Sequence, residues 1–169
     1  MRLRDRKYPP RIQDGLLAHL CVIALLLPLS GRIADAAAQE PRWQSDLLLQ
    51  VNAARAAHGL QQVRWNAKLA EAAAAHGADL QSCGKLAHEG CDGNILPQRA
   101  SRAGYAFRRI TENLALCACD AAAVVKAWLQ SDGHRRNLLD PNVTEMGADT
   151  RLDKADLRRQ QWVQVFGRE

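Results

Sequence analysis

Apolar positions along this chain recur at helical spacing in its first half and at alternating spacing near its end. Asp46 to His58 (DLLLQVNAARAAH) sets Leu48, Val51 and Ala54 three residues apart, a period that turns one face of an α-helix inward. Gly59 closes that helix, because glycine takes the left-handed C-terminal conformation without a Cβ clash. Asn66 is placed to cap a second helix from Ala67 to about Gln81, with Leu69, Ala73, His76 and Leu80 on one stripe. Ser82 to Pro97 (SCGKLAHEGCDGNILP) loses all period and carries glycines and a proline, the signature of an irregular loop. A short helix follows from Gln98 to Ala103, ending at Gly104, and Arg109 to Ala115 reads as a short extended piece. Asp120 caps a helix from Ala121 to Gln130, with Val124, Val125 and Trp128 facing inward. In the next stretch, SDGHRRNLLD, Gly133 is expected to end that helix, and a short helical turn stops at Asp140-Pro141. Thr144 to Leu152 and Gln160 to Gly167 alternate apolar and polar residues, as two strands joined by a polar loop containing Lys154 and Arg158. Helices first and strands last, without repeated βα alternation, indicate an α+β layered fold.

The first residues do not join this pattern. Arg2, Arg4, Arg6, Lys7 and Arg11 form a basic start, Leu16 to Leu29 is an apolar run, and Ala36-Ala37-Ala38 follows. That order reads as a secretory signal peptide over residues 1–38, cleaved after Ala38, with an uncleaved N-terminal anchor as the alternative. The apolar run is short for a membrane span, so the mature protein is expected to have no stable span. Cys21 lies inside the apolar run, which argues against a lipoprotein. The protein is then secreted or periplasmic, with one domain over 39–169.

Charge changes meaning once the leader is set aside. The leader holds 6 of the 23 Lys and Arg residues and 3 of the 18 Asp and Glu residues, leaving 17 against 15, a net +2. An evenly mixed surface does not suit a phosphate backbone, and the pairs Arg108-Arg109, Arg135-Arg136 and Arg158-Arg159 lack interleaved aromatics. Nucleic acid is not an expected partner. Cys83, Cys91, Cys117 and Cys119 remain in the mature part, an even number that indicates two disulfides in an exported protein. A Cys117–Cys119 ring would be tight, so cross-pairing with Cys83 and Cys91 is geometrically easier, with free thiols or a soft-metal site as alternatives. The pairing stays open.

Few residues can carry chemistry. His88 lies in the glycine-rich loop, Glu112 sits between apolar neighbours in ITENLA, and His134 lies in SDGHRRNLLD. Two imidazoles and a carboxylate suffice for zinc with an open fourth position. Each also has a plainer reading: a capping histidine, or a buried acid satisfied by backbone amides. His76 reads as a core histidine and His58 as a helix-end residue. There is no H-E-x-x-H, no G-x-S-x-G and no phosphate-cradling glycine loop.

The runs LLLQVNAARAAHGL and VRWNAKLAEAAAAHGADL, His88 ahead of a G-x-D-G loop, RASRAGY, TENLA, AWLQSDGHRRNLLD and TEMGAD together resemble the CAP superfamily. That superfamily includes cysteine-rich secretory, antigen 5 and pathogenesis-related 1 proteins, and the chain looks like its bacterial, SCP-like branch. The resemblance runs from about Asp46 to Gly167. It implies a three-layer α-β-α sandwich with a small antiparallel sheet. It also implies a cleft of two histidines and two acids, associated in some members with a divalent metal, commonly zinc. By motif position His88 and His134 match the histidines and Glu112 matches one acid. The second acid, three residues after Trp128, is Ser131 here. The cleft set is thus His88, Glu112, Ser131 and His134, with His88, Glu112 and His134 as candidate zinc ligands and Glu89 or Glu145 as possible substitutes for the missing acid. Asn113 and Asn137 are expected to fix the backbone beside Glu112 and His134.

The resemblance brings no settled reaction, and fold does not carry function across. No catalytic residue is assigned. The expected function is binding of a ligand or partner (a lipid, a cell-wall component or a protein) by a monomeric, non-enzymatic protein. A metal-dependent hydrolase of peptide or cell-wall material and a lipid- or sterol-binding protein are the alternatives.

Overall fold

A computed structural model describes residues 42–169. The expected signal peptide, and residues 39–41 of the expected domain, lie outside the described residues. The elements are α1 (Arg42–Ala57), β1 (Arg64–Trp65), α2 (Ala67–Cys83), α3 (Leu96–Arg102), β2 (Arg109–Cys117), α4 (Ala121–Leu129), α5 (Asp132–Leu138), β3 (Glu145–Leu152) and β4 (Gln160–Arg168).

Local chemistry sets the helix ends. The Asn66 side chain accepts from the backbone N–H groups of Lys68 and Leu69, and Asp120 accepts from that of Ala123, satisfying donors that a first turn leaves unpaired. Gly59 and Gly84 stop α1 and α2 at positive φ. Two readings are corrected. The fully buried stripe of α1 is Leu47, Val51 and Arg55, at a spacing of four; of the expected residues Val51 is on it, and Leu48 and Ala54 flank it, partly buried against the core. Gly133 lies in the first turn of α5 and does not close α4, which ends at Leu129.

The sheet runs in the order β1-β3-β4-β2, leaving β2 at an edge. β4 pairs antiparallel with both β2 and β3. The sheet is mixed, however, because β1 pairs parallel with β3. Two residues carry no alternation to read, and this strand is held by the Arg64 N–H on the Thr144 carbonyl and the Asn66 N–H on the Met146 carbonyl.

Alternation on β4 builds a core on each face. Trp162 and Phe166 pack with Leu47, Val51, Val124 and Trp128 from α1 and α4. Val163 and Val165 pack with Leu69, Leu80 and Ala100 from α2 and α3. The three-layer α-β-α sandwich follows from this division. A Cβ on Gly147 of β3 would overlap the backbone of Leu69 and Ala70, so that glycine lets α2 lie directly on the sheet.

The same division decides the cysteines. Disulfides join Cys83 to Cys91 and Cys117 to Cys119, with Cα separations of 6.4 and 5.3 Å. The pairing left open by the sequence is thereby decided, and it is not the cross-pairing that looked geometrically easier. Cys117 and Cys119 pack on the α1/α4 side, whereas Cys83 ends α2 on the other side, and the sheet stands between them.

Candidate functional site

The site forms where edge strand β2 meets both helical layers. Successive strand residues point to opposite faces, so Glu112 faces α2 and α3 while its neighbour Asn113 faces α5. Helical side chains cover the open edge: Trp128 Nε1 donates to the Leu114 carbonyl at 3.1 Å, and Asn137 Nδ2 donates to the Glu112 carbonyl at 2.9 Å. Asn137 Nδ2 also donates to Asn113 Oδ1 at 3.0 Å, and Asn113 Nδ2 donates to the His134 carbonyl at 3.2 Å. Asn113 and Asn137 therefore position α5, and with it His134, against the strand that carries Glu112.

Glu112 is the hub. Its side chain is 2% exposed. Oε1 accepts from His88 Nδ1 at 2.9 Å and lies 3.9 Å from His76 Nε2. Oε2 accepts from Arg99 at 2.8 Å, and the Arg99 side chain is only 5% exposed. A buried carboxylate is tolerable when it is paired and hydrogen-bonded, and here side chains do this work instead of backbone amides. The His88 side chain is 64% exposed at the rim. The glycine-rich loop holds it there. Cys83–Cys91 closes that loop onto the end of α2, the Cys91 N–H donates to Asp79 Oδ2 at 2.6 Å, and Gly93 turns at φ 78°. Arg99 donates to the His88 carbonyl at 3.2 Å and the Asn94 carbonyl at 2.7 Å, so one guanidinium fixes both the loop and the carboxylate.

The histidines are biased differently. Hydrogen bonding to Glu112 raises the pKa of His88 above the ordinary imidazole value. Burial, then the nearby charge of His88, lowers that of His134. Burial lowers that of His76, whose Nε2–H donates to the Ala87 carbonyl at 2.9 Å.

A divalent metal does not fit this donor set. Both Glu112 oxygens are engaged, one by a guanidinium, and His88 Nδ1 is turned to Glu112. Two imidazoles are then left where zinc takes three protein ligands. Among the described residues no group of three His, Cys, Asp or Glu side chains is arranged to hold a metal ion. Ser131 stands directly before α5, half-buried, and its side chain makes no capping hydrogen bond. Glu145 does not replace the missing acid, because it lies on β3, where it binds Tyr105, Arg64 and Asn66. Glu89 is exposed on the loop.

Two members of the cluster escape sequence reasoning. His76 is on the inward stripe of α2 and reads as core, which it also is. Arg99 is one of several arginines between residues 99 and 109. The available signal is that a carboxylate buried between apolar neighbours needs a charged or hydrogen-bonding partner, but only the fold selects Arg99.

Residues 48–166 match the family model described as CAP: Cysteine-rich secretory protein family. An uncharacterized membrane protein of Bacillus subtilis, YlbC, is 31% identical over 104 residues, 62% of this chain and 30% of that protein. A solved extracellular protein of Bacillus anthracis containing an SCP domain superposes with a TM-score of 0.68 at 26% identity, covering 75% of this chain and 40% of that one. An outer surface protein of Borrelia burgdorferi gives a TM-score of 0.66 at 21% identity, over 74% of this chain and 93% of that one, a likeness of fold. The chain thus spans well under half the length of the two Bacillus proteins.

Proposed function

The chain belongs to the CAP, cysteine-rich secretory protein family, and on that premise we propose that it is an exported binding module that recognises its ligand or partner at the rim formed by His88 and His134. One observation carries this reading. An imidazole 64% exposed is held by a carboxylate only 2% exposed. An exposed side chain normally keeps its rotamer freedom, and ordering it on contact opposes association. His88 is already ordered by Glu112, so a ligand meets a prepared donor. Extracellular relatives support export, and no described helix is long and apolar enough to cross a membrane.

The test is co-sedimentation of the protein with insoluble peptidoglycan and, separately, with anionic phospholipid vesicles. Wild type is run beside His88→Ala/His134→Ala. Pelleting with one of these that falls at least tenfold in the folded double variant supports the cleft. Equal pelleting by both proteins, or none with either material, overturns the reading.

A further inference from the structure

We propose that the Arg99 guanidinium is the resident cation of this cleft, holding Glu112 where a divalent metal would otherwise take it, so that the cleft works without metal. The claim goes beyond the binding role and does not depend on which ligand the rim recognises.

The first ground is charge. Glu112 contributes one negative charge in a place where water cannot screen it. Arg99, 2.8 Å away and equally buried, balances it. A dication added here would set three positive charges against one carboxylate. The acids of the adjoining helix and loop are turned to other partners and do not contact the Glu112 carboxylate. Asp79 is taken up by the Cys91 N–H. Asp92 binds the backbone and side chain of Asn94 and lies 3.9 Å from Arg102.

The second ground is mechanical. Arg99 can give Glu112 to a metal only by swinging away, and it is held by three acceptors. These are Glu112 Oε2 on β2, the His88 carbonyl at 3.2 Å and the Asn94 carbonyl at 2.7 Å. Its planar fork meets them together, which a lysine ammonium on a flexible stem would not do. Displacing it would leave a buried cation without its counter-ion and free the loop that presents His88.

Calorimetric titration with zinc chloride tests this on wild type, Arg99→Met and Arg99→Met/His88→Ala. The expected result is no His88-dependent zinc binding by wild type. Arg99→Met should gain one site at least tenfold tighter than any wild-type binding, lost again in the double variant. Stoichiometric zinc binding by wild type that weakens tenfold or more in His88→Ala overturns the proposal. So does a folded Arg99→Met that gains nothing. The wild-type arm stands even if Arg99→Met does not fold, and Arg99→Ala supplies a second measurement. Millimolar guanidinium should raise the Tm of Arg99→Ala by several degrees while leaving wild type unchanged or lower. An equal response of the two proteins overturns the resident-cation role. Loss of partner binding at the rim would leave all these outcomes untouched, so the two readings fail separately.

Discussion

Glu112, Arg99, His76 and His88 bind a buried charge, its counter-ion and an exposed imidazole into one unit. Glu112→Gln removes the anion and leaves Arg99 buried without its counter-ion. Breaking a buried pair from one side costs about 3–5 kcal/mol, and urea unfolding of this variant should show a loss in that range. A loss under about 1 kcal/mol, the scale of a surface pair, would mean that the cluster is effectively solvated. Acid has opposing effects on the histidines. His88 is raised by Glu112, so its support is full below the ordinary imidazole value and fades as pH climbs through its folded value. His76 and His134 are lowered, so the fold favours their neutral forms, and their penalty grows as pH falls below that ordinary value. His88→Ala should therefore lose stability more steeply than wild type between about pH 7.5 and 5.5, near the ordinary value of about 6.5. Urea midpoints at several pH values check this. Imidazole NMR titrations should place the His88 midpoint above about 6.5 and that of His134 below it, and the reverse order would contradict the geometry.

At the scale of elements, β2 and α5 make the site together. Edge strands expose backbone groups that must be covered or guarded, and here Asn137 and Trp128 do the covering. Asn137→Ala removes two hydrogen bonds and leaves the buried Asn113 amide oxygen and a strand carbonyl without these donors. The expected loss is about 1–3 kcal/mol. It should appear as faster hydrogen exchange in α5 than in α2, with weaker binding at the His134 side of the rim. Uniform exchange across the chain would instead mean that α5 is held by its apolar contacts alone. The motif pattern places the asparagines beside Glu112 and His134, and the hydrogen bonds show what each does there.

For the whole molecule, the sheet is the partition. It separates two apolar cores, sends Glu112 and Asn113 to opposite sides, and keeps the two cysteine pairs apart. How closely the layers approach depends on Gly147. Gly147→Ala would push α2 off β3, because the contact is with helix backbone and no side chain can yield. Overpacking typically costs about 1–3 kcal/mol and occasionally more, and a rigid contact belongs at the upper end. A fall in Tm of at least about 10 °C, read by circular dichroism, is expected from the usual relation of stability to Tm for a domain of this size. An unchanged Tm would show that the two layers do not sit this closely.

Periodicity, caps and turn residues act within a few residues, and for that reason α2, α4, the two long C-terminal strands and the glycine-rich loop were legible in the sequence. The motif series named His88, Glu112 and His134 for the same reason, since each lies in a local context of its own. What sequence could not decide depends on which side of the sheet a residue falls and on what packs against it there. The two-residue β1, the disulfide pairing and the partner of Glu112 are all of this kind. Arg99 and His76 carry no local mark that separates them from a surface arginine and a core histidine. They become site residues because a buried carboxylate draws its counter-charge from whatever the folded layers bring within reach, and only tertiary packing determines that.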